Sequence, residues 1–180
     1  NVWGNHIGWA DIVDMQVGLE KYAGPGHWNN PDMLAVGNND MLQNEARAHF
    51  SMWCMLAAPL MAGNDLRTMS VNDQDILTNA ALIAVNQDFL GKQGFKIEDQ
   101  GNFEIWQKPL SNNEIAICLF NRDTKAKKYL LNWSNLKIKG LNDSYKLKDL
   151  WKNKIIGTTN DVITIEIPNR DVVVFKLIKI

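Results

Sequence analysis

Ala23-Gly24-Pro25-Gly26-His27-Trp28-Asn29-Asn30-Pro31-Asp32-Met33-Leu34 is the stretch on which the reading of this chain turns. Gly24, Pro25 and Gly26 in succession cannot continue a helix, because proline lacks the amide hydrogen and glycine loses the most backbone freedom on ordering. A helix upstream must therefore stop here. Ile12, Met15, Val17 and Leu19 recur at mostly helical intervals and predict one over 11–22. Pro31 turns the chain again, and Asp32 follows in a turn-rich context. Downstream of the short apolar run Leu34-Ala35-Val36-Gly37, the spacing of Met41, Leu42, Ala46, Phe50, Trp53, Met55 and Leu56 predicts a long buried helix from about Asp40 to Leu56, with Asp40 as its N-cap. Pro59 bounds that helix. Leu60-Met61-Ala62 has the length of a buried strand, Gly63-Asn64-Asp65 of the loop at its end, and 71–83 of a further helix. Helices alternating with strands in this order are the signature of an α/β fold.

Gly91, Gly94 and Gly101 mark a change of period. Beyond them the vocabulary is β-branched and aromatic. Phe103–Trp106, Glu114–Phe120, Tyr129–Leu131, Val162–Ile167 and Val172–Leu177 read as strands separated by turn signals, which predicts an antiparallel sandwich. The chain thus divides into an α/β piece, 1–95, and a sandwich, 96–180. Alternating strands can bury their own inner face, so residues 101–180 are expected to fold by themselves and to meet the α/β piece through the Phe89–Phe95 connector.

Bulk properties exclude several classes. With 180 residues and 46% apolar content the chain can build one ordinary core or two small ones. A net charge of -1, with both signs scattered, gives no footprint for nucleic acid or an anionic membrane. No apolar run approaches the roughly 20 residues that span a bilayer. Cys54 falls in a helical pattern and Cys118 in a strand pattern, so both read as core residues rather than a disulfide. His6, His27 and His49 lack metal-ligand spacing, and no cofactor or metal is expected. The opening residues present Trp3, His6, Trp9 and Asp11 with no strand before them, so the chain reads as cut from something longer.

Three places could carry chemistry: Trp9-Ala10-Asp11, the Gly26–Met33 run, and Gly63-Asn64-Asp65. Each sets an aspartate among aromatic or small residues, as sugar sites do, since carboxylates accept hydroxyl hydrogen bonds and aromatic faces cover ring C–H surfaces. Asp11 and Asp65 read equally well as helix N-caps, and Asp32 as a turn residue. His49 reads as a packed or hydrogen-bonding side chain, and the tryptophans more often as core. Composition and spacing stop there.

The motif at 23–34 closely resembles the AGPGxWNDPDML signature of glycoside hydrolase family 27, with Asn30 where the family usually has aspartate. His49-Phe50-Ser51-Met52-Trp53, Ala57-Ala58-Pro59-Leu60, Asn64-Asp65-Leu66 and Ile83–Gly94 continue the resemblance in the family's order. It implies that residues 1–95 are the C-terminal strands and helices of a catalytic (β/α)8 barrel and that 96–180 are the family's antiparallel domain. It implies a retaining exo-glycosidase acting on terminal α-galactosides through two aspartates. By the resemblance, Asp11 in Asp11-Ile12 is the acid/base, while Asp32 and Met33, after the seventh strand, line the sugar pocket with Trp28 and Trp9. The nucleophile motif lies outside this chain, so the missing N-terminal half of the barrel is an implied partner and the fragment alone is expected to be inactive. The alternatives are an α-N-acetylgalactosaminidase of the same family and a non-catalytic carbohydrate-binding module on the sandwich.

Overall fold

The structure is a computed structural model that describes residues 8–38 and 41–180. Its helical part comprises α1 (Trp9–Met15), a 3-10 turn at Glu20–Tyr22, α2 (Gln43–Met55), α3 (Val71–Leu77) and α4 (Ala80–Asn86). The strands follow: β1 (Phe95–Asp99), β2 (Phe103–Pro109), β3 (Ile115–Asn121), β4 (Lys127–Leu131), β5 (Tyr145–Asp149), β6 (Lys154–Thr158), β7 (Ile163–Ile167) and β8 (Asp171–Lys179).

Several expectations are corrected by local chemistry. The helix expected over 11–22 ends at Met15, ahead of Gly18, whose φ of 83° is a left-handed value that no helix accommodates. The helix expected over 71–83 is two helices, because the Asn79 side chain accepts hydrogen bonds from the Ala81 and Leu82 amides and starts a new helix there. Asp40 lies outside the described residues; Leu42 holds the N-cap position of α2 without a side-chain bond. The strand expected at 60–62 contracts to a single parallel bridge between Leu34 and Ala62.

The sandwich is asymmetric. Six antiparallel strands in the order β1-β2-β3-β8-β5-β6 form one sheet, and β4 with β7 form the other. The central strands β2, β3 and β8 are buried on both faces. Ile105, Ile115, Ile117, Leu119, Phe175 and Leu177 point into the core shared with β4 and β7. Trp106, Ala116, Cys118, Phe120, Val172 and Val174, the alternate residues, point the other way and join the core around α2. Period-two alternation thus sorts apolar residues between two cores rather than between core and water.

The contact between the two parts is correspondingly wide. Helix α2 lies against β2, β3 and β8, with every residue from Ala48 to Met55 buried. Cys54 on α2 and Cys118 on β3 are free thiols in this seam, Cys118 Sγ lying 3.9 Å from Met52 Sδ. The connector takes part, since Gly94 N–H donates to Met55 O at 2.8 Å and Gln93 ties Asn29 to Gln16. Its share is small beside that of α2. Lys108 is fully buried there and donates to the carbonyls of Cys54 (3.0 Å) and Asn86 (3.4 Å), so one ammonium meets the negative ends of both α2 and α4. Burial pulls that ammonium down to about 8. At the rim Arg122 forks onto Asp14 at 2.7 and 2.8 Å, and Arg170 reaches Glu45 at 2.9 Å.

Candidate active site

Helix α2 also positions the 31–38 segment. Leu34 N–H donates to Met61 O at 2.8 Å and Gly63 N–H donates to Leu34 O at 3.0 Å, which joins 33–35 to 61–63 as neighbouring parallel backbones. A side chain at position 63 would bring its Cβ within 2.8 Å of Leu34 O, so only glycine allows this approach. Beyond the pairing point, Asn38 Nδ2 donates to Gly63 O at 2.9 Å and ties the two loops together.

Asp32 has φ of 76°, in the left-handed region that side-chain-bearing residues avoid. Three bonds hold it there. Trp53 Nε1 donates to Asp32 O at 2.9 Å, Asp32 N–H donates to Asn30 Oδ1 at 3.1 Å, and Met33 N–H donates to Asp32 Oδ1 at 2.7 Å. The Asn30 amide oxygen fills this place although the family motif usually has a carboxylate. Asp32 is exposed, and Met33 beside it is 53% exposed despite its apolar side chain. Both immediately precede the bridged residue Leu34.

One turn before Trp53 on α2, buried His49 accepts the Ala35 amide at Nε2 (3.0 Å). That bond places the imidazole proton on Nδ1. Burial drives the imidazole down to about 3, so the ring stays a neutral acceptor. Packing by Trp53, at 4.0 Å between ring centroids, and by Trp9, at 5.2 Å, fixes its plane.

Asp11 sits in the first turn of α1 and accepts the Gly8 N–H at Oδ2 (2.9 Å), without being the N-cap itself. No other hydrogen bond reaches its carboxylate among the described residues. Trp9 stacks on Phe120 at 5.8 Å and meets His49 edge-on, so its ring packs between α1, α2 and the sandwich. Trp28 is 45% exposed and covers Gly91, where an added Cβ would come within 2.7 Å of the indole. It borders a cavity of about 590 Å³ with Pro25, Pro59, Leu60 and Phe89, at the start of the 60–62 segment and away from the Gly63 loop. Asp32 and Met33 sit together, Trp28 lies against Gly91 of the connector, and Trp9 packs on His49 and Phe120. Asp65 is engaged locally by Arg67 (3.0 and 2.8 Å), which holds its carboxyl below the usual range. Ser70, not Asp65, caps the next helix. Among the described residues no group of three His, Cys, Asp or Glu side chains could hold a metal ion, and no helix is long and apolar enough to cross a membrane.

Comparison with known proteins supplies the context for this geometry. Residues 5–88 match a family model described as alpha galactosidase A, and residues 100–177 one described as the alpha galactosidase C-terminal beta sandwich domain. The chain is 42% identical over 187 residues to alpha-galactosidase A of Cellvibrio japonicus, covering 96% of this chain and 46% of that protein. It is 38% identical over 152 residues to alpha-N-acetylgalactosaminidase of Homo sapiens, covering 83% and 37%. The crystal structure of alpha-galactosidase I from Mortierella vinacea superposes with a TM-score of 0.89 at 31% identity, over 96% of this chain and 45% of that one. The chain spans less than half the length of each of these relatives. With both family models matched in order and the fold shared, the chain belongs to the α-galactosidase family, glycoside hydrolase family 27, and is a C-terminal portion of it: the last elements of the (β/α)8 barrel followed by the β-sandwich.

Proposed function

We propose that this chain supplies the acid/base aspartate and part of the sugar pocket of a retaining exo-glycosidase that removes terminal α-D-galactosyl groups. The nucleophilic aspartate comes from the barrel half outside these residues. The observation that carries this reading is the backbone of Asp32. A non-glycine residue held at a left-handed φ costs about 1–3 kcal/mol and persists where neighbours enforce it, commonly at functional positions. Here Trp53 and Asn30 enforce it and the outcome is a carboxylate beside an exposed methionine. Such a pair suits a pyranose, with the carboxylate accepting ring hydroxyls and the thioether covering C–H surface. Asp11 protonates the departing glycosidic oxygen, and then activates water against the glycosyl-enzyme from the same face, as two carboxyls about 5 Å apart allow. Trp28 braces the loop leading to Asp32, and Trp9 anchors α1.

The α-N-acetylgalactosaminidase reading differs in the C2 substituent accepted, and the human relative keeps it as the second reading. The binding-module reading is disfavoured by the sandwich itself: Phe103, Trp106, Phe120, Trp133, Tyr145 and Phe175 are buried, and the half-buried Tyr129 and Trp151 are engaged by Phe103 and by Arg47 and Ser51 of α2. The test is hydrolysis of aryl α-galactosides by the intact enzyme containing this chain, followed by proton NMR. The α-anomer of galactose should form first, and Asp32→Asn should lower kcat/KM roughly tenfold to hundredfold, the scale of a lost charged hydrogen bond. A β-anomer formed first would exclude the retaining mechanism, and preference for the acetamido sugar would select the second reading.

A further inference from the structure

We infer that His49 and Trp53 are positioning residues that fix the backbone from Asp32 to Ala35 and thereby aim the Asp32 carboxylate and the Met33 side chain; this rests on the reading of Asp32 as a sugar contact. The two lie four residues apart on α2, so both project from one face of the helix. Trp53 Nε1 grips the carbonyl of residue 32 and His49 Nε2 grips the amide of residue 35. Between these anchors, Leu34 N–H is held by Met61 O and Leu34 O by Gly63 N–H, while Met33 N–H is closed by the Asp32 carboxylate. The segment is therefore clamped at both ends and cannot slip in register. A strand would normally take such bonds from its neighbours, but here two fully packed side chains of a helix supply them. Their own rings are immobilised, Trp53 at 0% exposure and His49 at 1%. Because neither side chain reaches the open side where Asp32 and Met33 lie, each acts through the backbone, and small displacements there cost activity steeply.

The test is a mutant cycle in the intact enzyme, with kcat and KM for an aryl α-galactoside and melting temperature measured on each variant. Trp53→Phe keeps a ring and removes only the donor. His49→Phe removes the acceptor, and His49→Gln restores one through its amide oxygen. Trp53→Phe and His49→Phe are expected to raise KM about tenfold with a smaller change in kcat, while His49→Gln recovers most of the loss. Asp32→Asn combined with Trp53→Phe should be little worse than Asp32→Asn alone, because Trp53 works through Asp32. Lowered melting temperatures with unchanged KM would reduce both residues to packing and overturn the inference. Full additivity with a damaging Asp32→Asn would do the same while leaving the sugar-contact reading intact. A silent Asp32→Asn would remove that reading and the inference with it. Should Trp53→Phe fail to fold, the His49 pair decides alone.

Discussion

Asp11→Asn in the intact enzyme is expected to slow hydrolysis of galactosides with poor leaving groups by about 100-fold or more, the usual scale of general acid catalysis. An activated aryl galactoside should be cleaved comparatively fast, because its leaving oxygen departs without a proton. The asymmetry follows from the two duties of an acid/base group, which gives a proton to the leaving oxygen in one step and takes one from water in the next. With an activated substrate the first step survives and the second becomes limiting. Azide needs no base, so it should restore turnover and, entering from the face that water uses, give the α-galactosyl azide. The structure suits this role, since Asp11 is anchored through one oxygen to the Gly8 amide and no second hydrogen bond occupies the carboxylate among the described residues. An equal loss on good and poor leaving groups without azide rescue would move the role elsewhere, with Asp32 next in line.

A comparably large effect is expected from separating the sandwich from α2. Residues 96–180 expressed alone should bind a hydrophobic dye and unfold without a cooperative transition, because the outer face carrying Trp106, Cys118, Phe120, Val172 and Val174 would lie open to water. The milder form of the same experiment is Trp106→Ala in the 180-residue chain. Trp106 is fully buried and its indole N–H donates to Glu104 at 2.7 Å, so truncation should cost about 3–5 kcal/mol. Sharp thermal unfolding of 96–180 at the temperature of the longer chain would show that the sheet needs no cover from α2, contrary to the packing described here.

The expectation of an independent sandwich treats alternation as a mark of one buried face, whereas α2 covers the second face of β2, β3 and β8. In β3 the sequence Ile115-Ala116-Ile117-Cys118-Leu119-Phe120 is apolar at every position, and such a run signals burial on both faces. That signal was legible. Three strands are missing from the sequence reading, all at or next to a sheet edge: β1 carries Lys96, Glu98 and Asp99, β5 carries Lys146, Lys148 and Asp149, and β6 is short and holds Gly157. β1 pairs with the next strand, β2, and β5 both with its neighbour β6 and with the distant β8, while bulges at 96–98 and 147–148 break the period. For the site, the motif at 23–34 singled out Asp32 and Met33, and the structure places them side by side. It does not show what Trp28 and Trp9 pack against, because the neighbours of a side chain are set by the fold: Gly91 and Pro25 for one, His49 and Phe120 for the other. Nor could it distinguish His49 and Trp53 from the other buried residues of α2, since a lone hydrogen bond to a remote backbone leaves no trace in periodicity.

The two cysteines make the seam between barrel and sandwich a clock. Cys54 belongs to the helix, Cys118 to the sheet, both are fully buried, and burial pushes both thiols well above their ordinary range. Alkylation needs the thiolate, so neither sulfur reacts while α2 lies on β3. The rate at which a small alkylating reagent modifies each one in native buffer then counts how often the seam parts. Equal rates at both sulfurs mean that helix and sheet separate as one event, whereas a faster Cys54 means that the C-terminal turn of α2 opens by itself, with Lys108 released from the Cys54 carbonyl while the sheet stays covered.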